Sequence, residues 1–197
     1  SMVRMSRNHP CVFIYSLFNE EPWQGERRGY LMARQMREHL LALDNTRAVT
    51  AAMNGGILEG SNASDSLDVI GVNYHIADYE NAHLRTPGKT MIGTENCPTL
   101  ATRGVYTNDR EMQVYNSYGD DWAGFSESID VTMENVLTKP YNAGCFAWSG
   151  FDYYGEPAPY AWPSVMSHWG VMDNCGFAKD IAYHLAAWYK TELFVHL

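Results

Sequence analysis

The sequence predicts an α/β fold of parallel strands joined by helical crossovers, on three observations. Short apolar runs alternate with stretches of helical spacing, no hairpin signal joins neighbouring runs, and polar residues gather where the runs end. Residues 11–17 form a near-continuous apolar run, as a strand covered on both faces by helices requires. A helix is predicted over 25–43, where Ala33, Met36, Leu40 and Leu43 keep helical spacing and Arg27, Arg34, Arg37 and Glu38 supply a solvated face. Residues 48–53 read as the next strand, closed by the turn signal Asn54-Gly55-Gly56. A third strand over 67–74 precedes a short helix over 77–84, and a fourth spans 90–95. A long helix over 122–137, a fifth strand over 143–148 and an amphipathic helix over 179–190 complete the pattern.

The polar residues Asn19, Glu20, Asn73, Tyr74, His75, Glu95, Asn96, Trp148 and Asp152 all fall at the C-terminal ends of predicted strands. A barrel converges several strand ends on one pocket, whereas an open sheet uses mainly a switch-point crevice. The expected architecture is therefore a partial (β/α)8 TIM barrel of about five C-terminal strand–helix units, forming one domain over residues 1–197. A complete barrel needs eight units in roughly 250 residues, so three are expected ahead of residue 1. Ser1-Met2 reads as a cloning remnant.

Composition narrows the function classes. With 14 Lys and Arg against 23 Asp and Glu, the net charge is −9. No basic patch invites nucleic acid or an anionic membrane surface, and a neutral ligand is the simpler expectation. No run is long enough to span a bilayer, no signal peptide opens the chain, and the compartment stays open. Cys11, Cys97, Cys145 and Cys175 show neither CxxC nor zinc spacing and read as small buried thiols. The seven His are scattered, which argues against a metal ligand set. GxSxG, P-loop, GxGxxG and HExxH patterns are absent. Six Trp and 13 Tyr, crowded toward the C-terminal third, offer flat faces for sugar rings or for packing.

Two carboxylates carry the sharpest chemical signal. Glu20 ends Ile14-Tyr15-Ser16-Leu17-Phe18-Asn19-Glu20, and Glu95 ends Met91-Ile92-Gly93-Thr94-Glu95. A carboxylate beside apolar strand residues is costly unless it is paired, hydrogen-bonded or used. Each alone reads equally as a helix cap or a surface charge; together they suggest the paired carboxyls of a glycosidase. Adjacent residues at a strand end point to opposite faces, so only one of Glu20 and Glu21 enters a shared pocket.

Arg7-Asn8-His9-Pro10, followed by Ser16-Leu17-Phe18-Asn19-Glu20, resembles the acid/base signature of glycoside hydrolase family two, which includes β-galactosidases, β-glucuronidases and β-mannosidases. Phe18 stands where the family usually has Gly. Thr94-Glu95 is similar to the family's nucleophile segment, 75 residues beyond Glu20. Gly150-Phe151-Asp152-Tyr153-Tyr154-Gly155-Glu156-Pro157 with Pro159-Tyr160 most resembles the β-galactosidase branch, and the Asn-x-Lys pair that relatives use for a glucuronate carboxylate is not found.

The resemblance implies a retaining β-glycosidase acting on terminal β-linked sugars, most favouring β-galactosides, with no cofactor. Glu20 would be the general acid/base and Glu95 the nucleophile, at the carboxyl separation of roughly 5 Å that retention needs. Asn19 would hydrogen-bond the sugar 2-hydroxyl, Tyr74 the nucleophile, and Trp148 would be the sugar platform. Asp152 and His168, on a loop over 149–176 that is too long to be a mere connector, are secondary candidates for substrate contact. Relatives often hold a divalent ion beside the acid/base, with ligands expected partly from segments ahead of this chain. The competing expectation is a truncated barrel that binds sugar weakly or not at all. In either case the exposed strand edges of a partial barrel predict self-association into a homo-oligomer.

Overall fold

The computed structural model describes residues 2–196; Ser1, part of the expected cloning remnant, lies outside them. The elements run α1 (Met2–Ser6), β1 (Ile14–Asn19), α2 (Arg27–Leu41), β2 (Ala48–Met53), a short 3-10 turn (Ala63–Ser66), β3 (Val69–Asn73), a second such turn (Ile76–Asp78) and α3 (Tyr79–Arg85). They continue with β4 (Thr90–Asn96), β5 (Thr99–Leu100), β6 (Asp121–Trp122), α4 (Ile129–Thr138), β7 (Asn142–Ala147) and α5 (Asp180–Tyr189). Five strands form one parallel sheet in the order β1-β2-β3-β4-β7, with helices in the connections, and this is a partial α/β barrel. The register sets Tyr15 beside Val49 and Ala52 beside Gly71, with an irregularity between Ser16 and Asn19. By contacts the chain divides into two compact units, residues up to Thr94 with Val136–Cys145, and Glu95–Asn135 with residues from Phe146 onward.

In the first unit, Val49, Ala51, Met53, Ile70, Val72 and Met91 are buried sheet residues, with Ala33 and Leu40 of α2 in the same core. These near-continuous apolar strands are what a sheet covered on both faces demands. Gly71 has no room for a side chain: a Cβ there would lie 2.2 Å from Ala51 O and 2.7 Å from Thr94 Cγ2. Asp44, just past α2, accepts from Tyr15 Oη at 2.9 Å, the Thr46 amide at 2.9 Å and Arg47 at 2.6 Å, so it ties β1 to the turn before β2. The hydrogen bonds from Thr46, above all, hold this carboxyl well below the usual carboxylate range.

Several boundaries differ from the sequence prediction. The first strand starts at Ile14 rather than residue 11 and runs on to Asn19; the exposed Cys11 precedes it. Cys175 is exposed as well, so only Cys97 fits the expected buried thiol fully. Met36, placed on the core stripe of α2 by spacing, is 42% exposed, because Gly29, Ala33 and Leu40 form the buried line. The helix predicted over 122–137 begins at Ile129 instead, since Trp122 pairs antiparallel with Thr99 and the stretch Gly124-Phe125-Ser126 is a turn.

In the second unit, Leu100, Ala123 and Trp169 form a buried cluster with Tyr115, Trp148, Tyr153 and Ala158 packed against it. Its anchor is an ion pair between Lys179, whose side chain is fully buried, and Asp152. Lys179 Nζ donates to Asp152 Oδ1 at 2.7 Å and to the carbonyls of Ala101 at 2.6 Å and His168 at 3.3 Å. The loop can approach this closely only because residue 170 is glycine, as a Cβ there would sit 2.1 Å from Asp152 N.

Candidate active site

The first unit holds the acid/base candidate. Glu20 follows β1 in the left-handed region at φ 53°, while its amide still donates to Ala52 O at 2.8 Å, so the ladder sets where the strained residue sits. Tyr74 and His75, immediately after β3, are also left-handed, at φ 55° and 33°. Asn73, fully buried at the end of β3, connects the strand ends: its Nδ2 donates to Glu20 Oε1 at 2.8 Å and to Asn19 Oδ1 at 3.0 Å, and its Oδ1 accepts from Thr94 Oγ1 at 2.6 Å. Glu21 is exposed and lines a separate cavity with Leu17, Trp23 and Met32. Tyr74 is buried directly beside Asn73 in sequence.

The second unit holds the other candidates. Glu95 is half-buried near the end of β4, and Cys97, two residues on, is left-handed at φ 53°. Trp148 is half-buried; its amide donates to Asn96 O at 2.7 Å and its ring meets Tyr153 edge-on, 5.8 Å between centroids. Burial and a hydrogen bond to Glu156 push the Tyr153 hydroxyl up, and the Glu95 charge adds to this. It therefore stays a neutral phenol around neutral pH.

Asp152 and His168, expected to touch sugar, are both about nine-tenths buried and their visible partners belong to the protein. Asp152 Oδ1 accepts from Lys179 and from the Gly170 amide at 2.9 Å. Burial pushes the Asp152 carboxyl up and the Lys179 ammonium down, and each partner opposes the other's shift. His168 Nδ1 shares a hydrogen bond of 3.1 Å with Thr102 Oγ1, its Nε2 is buried without a partner, and Tyr115 and Tyr160 stand edge-on to the ring. Burial, then the Lys179 charge, lowers its pKa from 6.5 to about 4.

This lowering has a definite sign in folding. The unfolded chain binds the His168 proton near pH 6.5 and the folded chain only near 4, so His168's contribution is complete above pH 6.5 and is lost as pH falls toward 4. We expect a loss on the order of 2–3 kcal/mol across that window relative to His168→Gln, read from urea unfolding at several pH values. Parallel profiles for the two proteins would contradict the assignment.

Asn73, grouped above with the polar strand ends, was assigned no role from the sequence, and Lys179 was not among the candidates. Asn73 was legible only as an Asn at a strand end, where terminating the strand is an equal reading. Lys179 carried a usable signal: it takes the N-cap position of α5, where the helix dipole disfavours a cation, so it needs another reason to be there. Among the described residues no group of three or more His, Cys, Asp or Glu is placed to hold a metal ion. No described helix is long and apolar enough to cross a membrane.

The family model for the glycosyl hydrolases family 2 TIM barrel domain matches residues 1–118. The chain belongs to glycoside hydrolase family 2. Among curated relatives, β-galactosidase BoGH2A of Bacteroides ovatus is 30% identical over 243 residues, covering 97% of this chain and 28% of the relative. A putative β-glucuronidase of Formosa agariphila is 24% identical over 230 residues, covering 99% of this chain and 21% of its own length. The chain thus spans less than a third of either. Of solved structures, a β-glucuronidase from an uncultured Clostridium superposes with a TM-score of 0.74 at 18% identity, over 96% of this chain and 34% of that one. A family 2 member from Bacteroides cellulosilyticus gives 0.68 at 23% identity, over 96% and 21%. These structural likenesses support the fold.

Proposed function

We propose that this chain is the catalytic part of a retaining β-glycosidase that removes terminal β-linked sugars, with β-galactosides as preferred substrates. The observation that carries this reading is the buried Asn73 amide holding Glu20 and Asn19 together at the strand ends. A carboxyl gripped in this way is positioned rather than solvated, as a proton-transfer group needs to be. In the proposed cycle, Glu20 donates a proton to the glycosidic oxygen while the Glu95 carboxylate attacks the anomeric carbon. Glu20 then takes a proton from the water that breaks the resulting ester. Asn19 serves the 2-hydroxyl and Trp148 offers its face to the pyranose. The galactoside preference rests on the 30% identity to a β-galactosidase and on the Gly155-Glu156-Pro157 segment.

The panel that tests this is a set of nitrophenyl β-glycosides given to the purified chain and to Glu20→Gln. Galactoside turnover well above the other sugars, lost in the variant, supports the reading; turnover that the variant retains contradicts it. The second reading is a partial barrel that binds sugar without hydrolysing it, and no turnover by either protein selects it.

We further propose that the chain self-associates through β1. This strand ends the sheet order, and Met32 and Met36 of α2, about half exposed, lie on a cavity with Leu17 and Phe18 of β1. Light scattering at micromolar concentration should give at least twice the 22.3 kDa chain mass; a clean monomer would oppose it.

A further inference from the structure

A non-glycine residue in the left-handed region, as Glu20 is, stays there only where its surroundings over-determine it. Its amide is bonded to Ala52 and its side chain to Asn73, but the next three residues, 21–23, are exposed. The loop returns to the protein at Gln24, which is 8% exposed. Gln24 Oε1 accepts from the Asn54 amide at 3.2 Å and its Nε2 donates to Asn54 Oδ1, so main chain and side chain of one residue are gripped together. The backbone of Gln24 is bonded as well: its amide donates to Glu21 O at 3.0 Å and its carbonyl accepts from the Ala63 amide at 2.9 Å. One residue on, Gly25 and Gly56 meet backbone to backbone, and a Cβ on Gly56, at φ 67°, would lie 2.3 Å from Gly25 Cα. Asn54 stands two residues beyond Ala52. Residues 20–24 are thus fastened to the end of β2 twice, by main chain at Glu20 and Ala52 and by side chain at Gln24 and Asn54.

We propose that Gln24 is a positioning residue for Glu20, acting through Asn54. The clamp keeps the strained turn closed, so that the Glu20 carboxyl stays among the strand ends with Asn19 and Asn73. A residue serving only to start α2 would bond the first amides of that helix, whereas the side-chain bonds of Gln24 run to the loop after β2. The consequence for the reaction rests on the reading of Glu20 as the acid/base group.

The first measurement is hydrogen exchange at the Glu20 amide in the purified chain, in Gln24→Ala and in Asn54→Asp. Gln24→Ala should speed exchange at Glu20 about 10-fold or more, while the amides of β2 and β3 change by less than about 3-fold. Asn54→Asp, which keeps an oxygen to accept from Gln24, should fall between Gln24→Ala and the parent. An unchanged Glu20 amide, or an equal rise across the whole sheet, overturns the proposal. If Gln24→Ala does not fold, Asn54→Ala, which keeps the Asn54 amide, takes its place.

The second measurement is the leaving-group dependence of kcat/KM, which a residue that merely stabilises the fold does not alter. A displaced acid is missed most where the leaving group is poor. Gln24→Ala should therefore lose about 10-fold more on phenyl β-galactoside than on 2,4-dinitrophenyl β-galactoside, and Glu20→Gln should show a larger gap still. Equal losses on the two substrates in Gln24→Ala, with the gap present in Glu20→Gln, remove the positioning role and keep Glu20 as the acid. No gap in Glu20→Gln, or no turnover by the parent, removes the acid/base reading, and exchange at the Glu20 amide then decides the clamp by itself.

Discussion

Replacing Glu95 by Ala is expected to lower kcat/KM on nitrophenyl β-galactoside by about 10⁵-fold, and azide to restore turnover with an α-galactosyl azide as product. The expected product follows from the side of attack. Without the Glu95 carboxylate, azide enters from the face it vacates, the aglycone leaves from the other, and the configuration inverts. Glu20→Ala should behave differently. Nitrophenolate is a good leaving group that needs little proton assistance, so the first step survives and the galactosyl ester on Glu95 accumulates. The loss of general-base help then costs about 10²–10⁴-fold. Azide displaces the ester from the same face as water, giving the β-azide. Proton couplings at the anomeric carbon distinguish the two products. The same anomer from both variants, or no azide effect in either, would refute the assigned roles.

The second large effect is on stability. Lys179→Met should destabilise the chain by about 3–5 kcal/mol, because it strands the Asp152 carboxyl and the carbonyls of Ala101 and His168 in a site with little access to water. At roughly 2–4 °C per kcal/mol for a chain of this size, the Tm should fall by about 10 °C. Asp152→Leu on the same background should recover a good part of the loss, since removing both charges is far cheaper than removing one. Calorimetry on the two singles and the double resolves the coupling. A single-variant loss below about 1 kcal/mol would mean that the pair contributes little to holding the loop.

The central strands were legible because β2 and β3 are buried along nearly their whole length and are therefore mostly apolar; β2 occurs at the predicted 48–53. The antiparallel pair β5–β6 was not, because two-residue strands carry no period, and Trp122 reads as readily into the apolar spacing of the following helix. Glu20 and Glu95 stood out as charges among apolar neighbours, a contrast visible in one dimension. Asn73 has no such contrast, and its importance lies in partners 21, 53 and 54 residues away. Asp152 and His168 were picked as polar residues on a long aromatic loop; what the sequence does not display is that Lys179, 27 and 11 residues on, packs beneath that loop and binds both of them.

Under the acid/base role proposed for Glu20, the Asn73 amide also bears on which of its oxygens would hold the proton. Thr94 Oγ1 donates to Asn73 Oδ1, so the amide must turn its two N–H bonds the other way, and one of them points at Glu20 Oε1. An oxygen already receiving a hydrogen bond in this position is best kept as the carbonyl of the neutral acid. In that role the proton would be directed to Oε2, and a threonine hydroxyl on β4 would select, through one amide, the face of the carboxyl turned toward a leaving group.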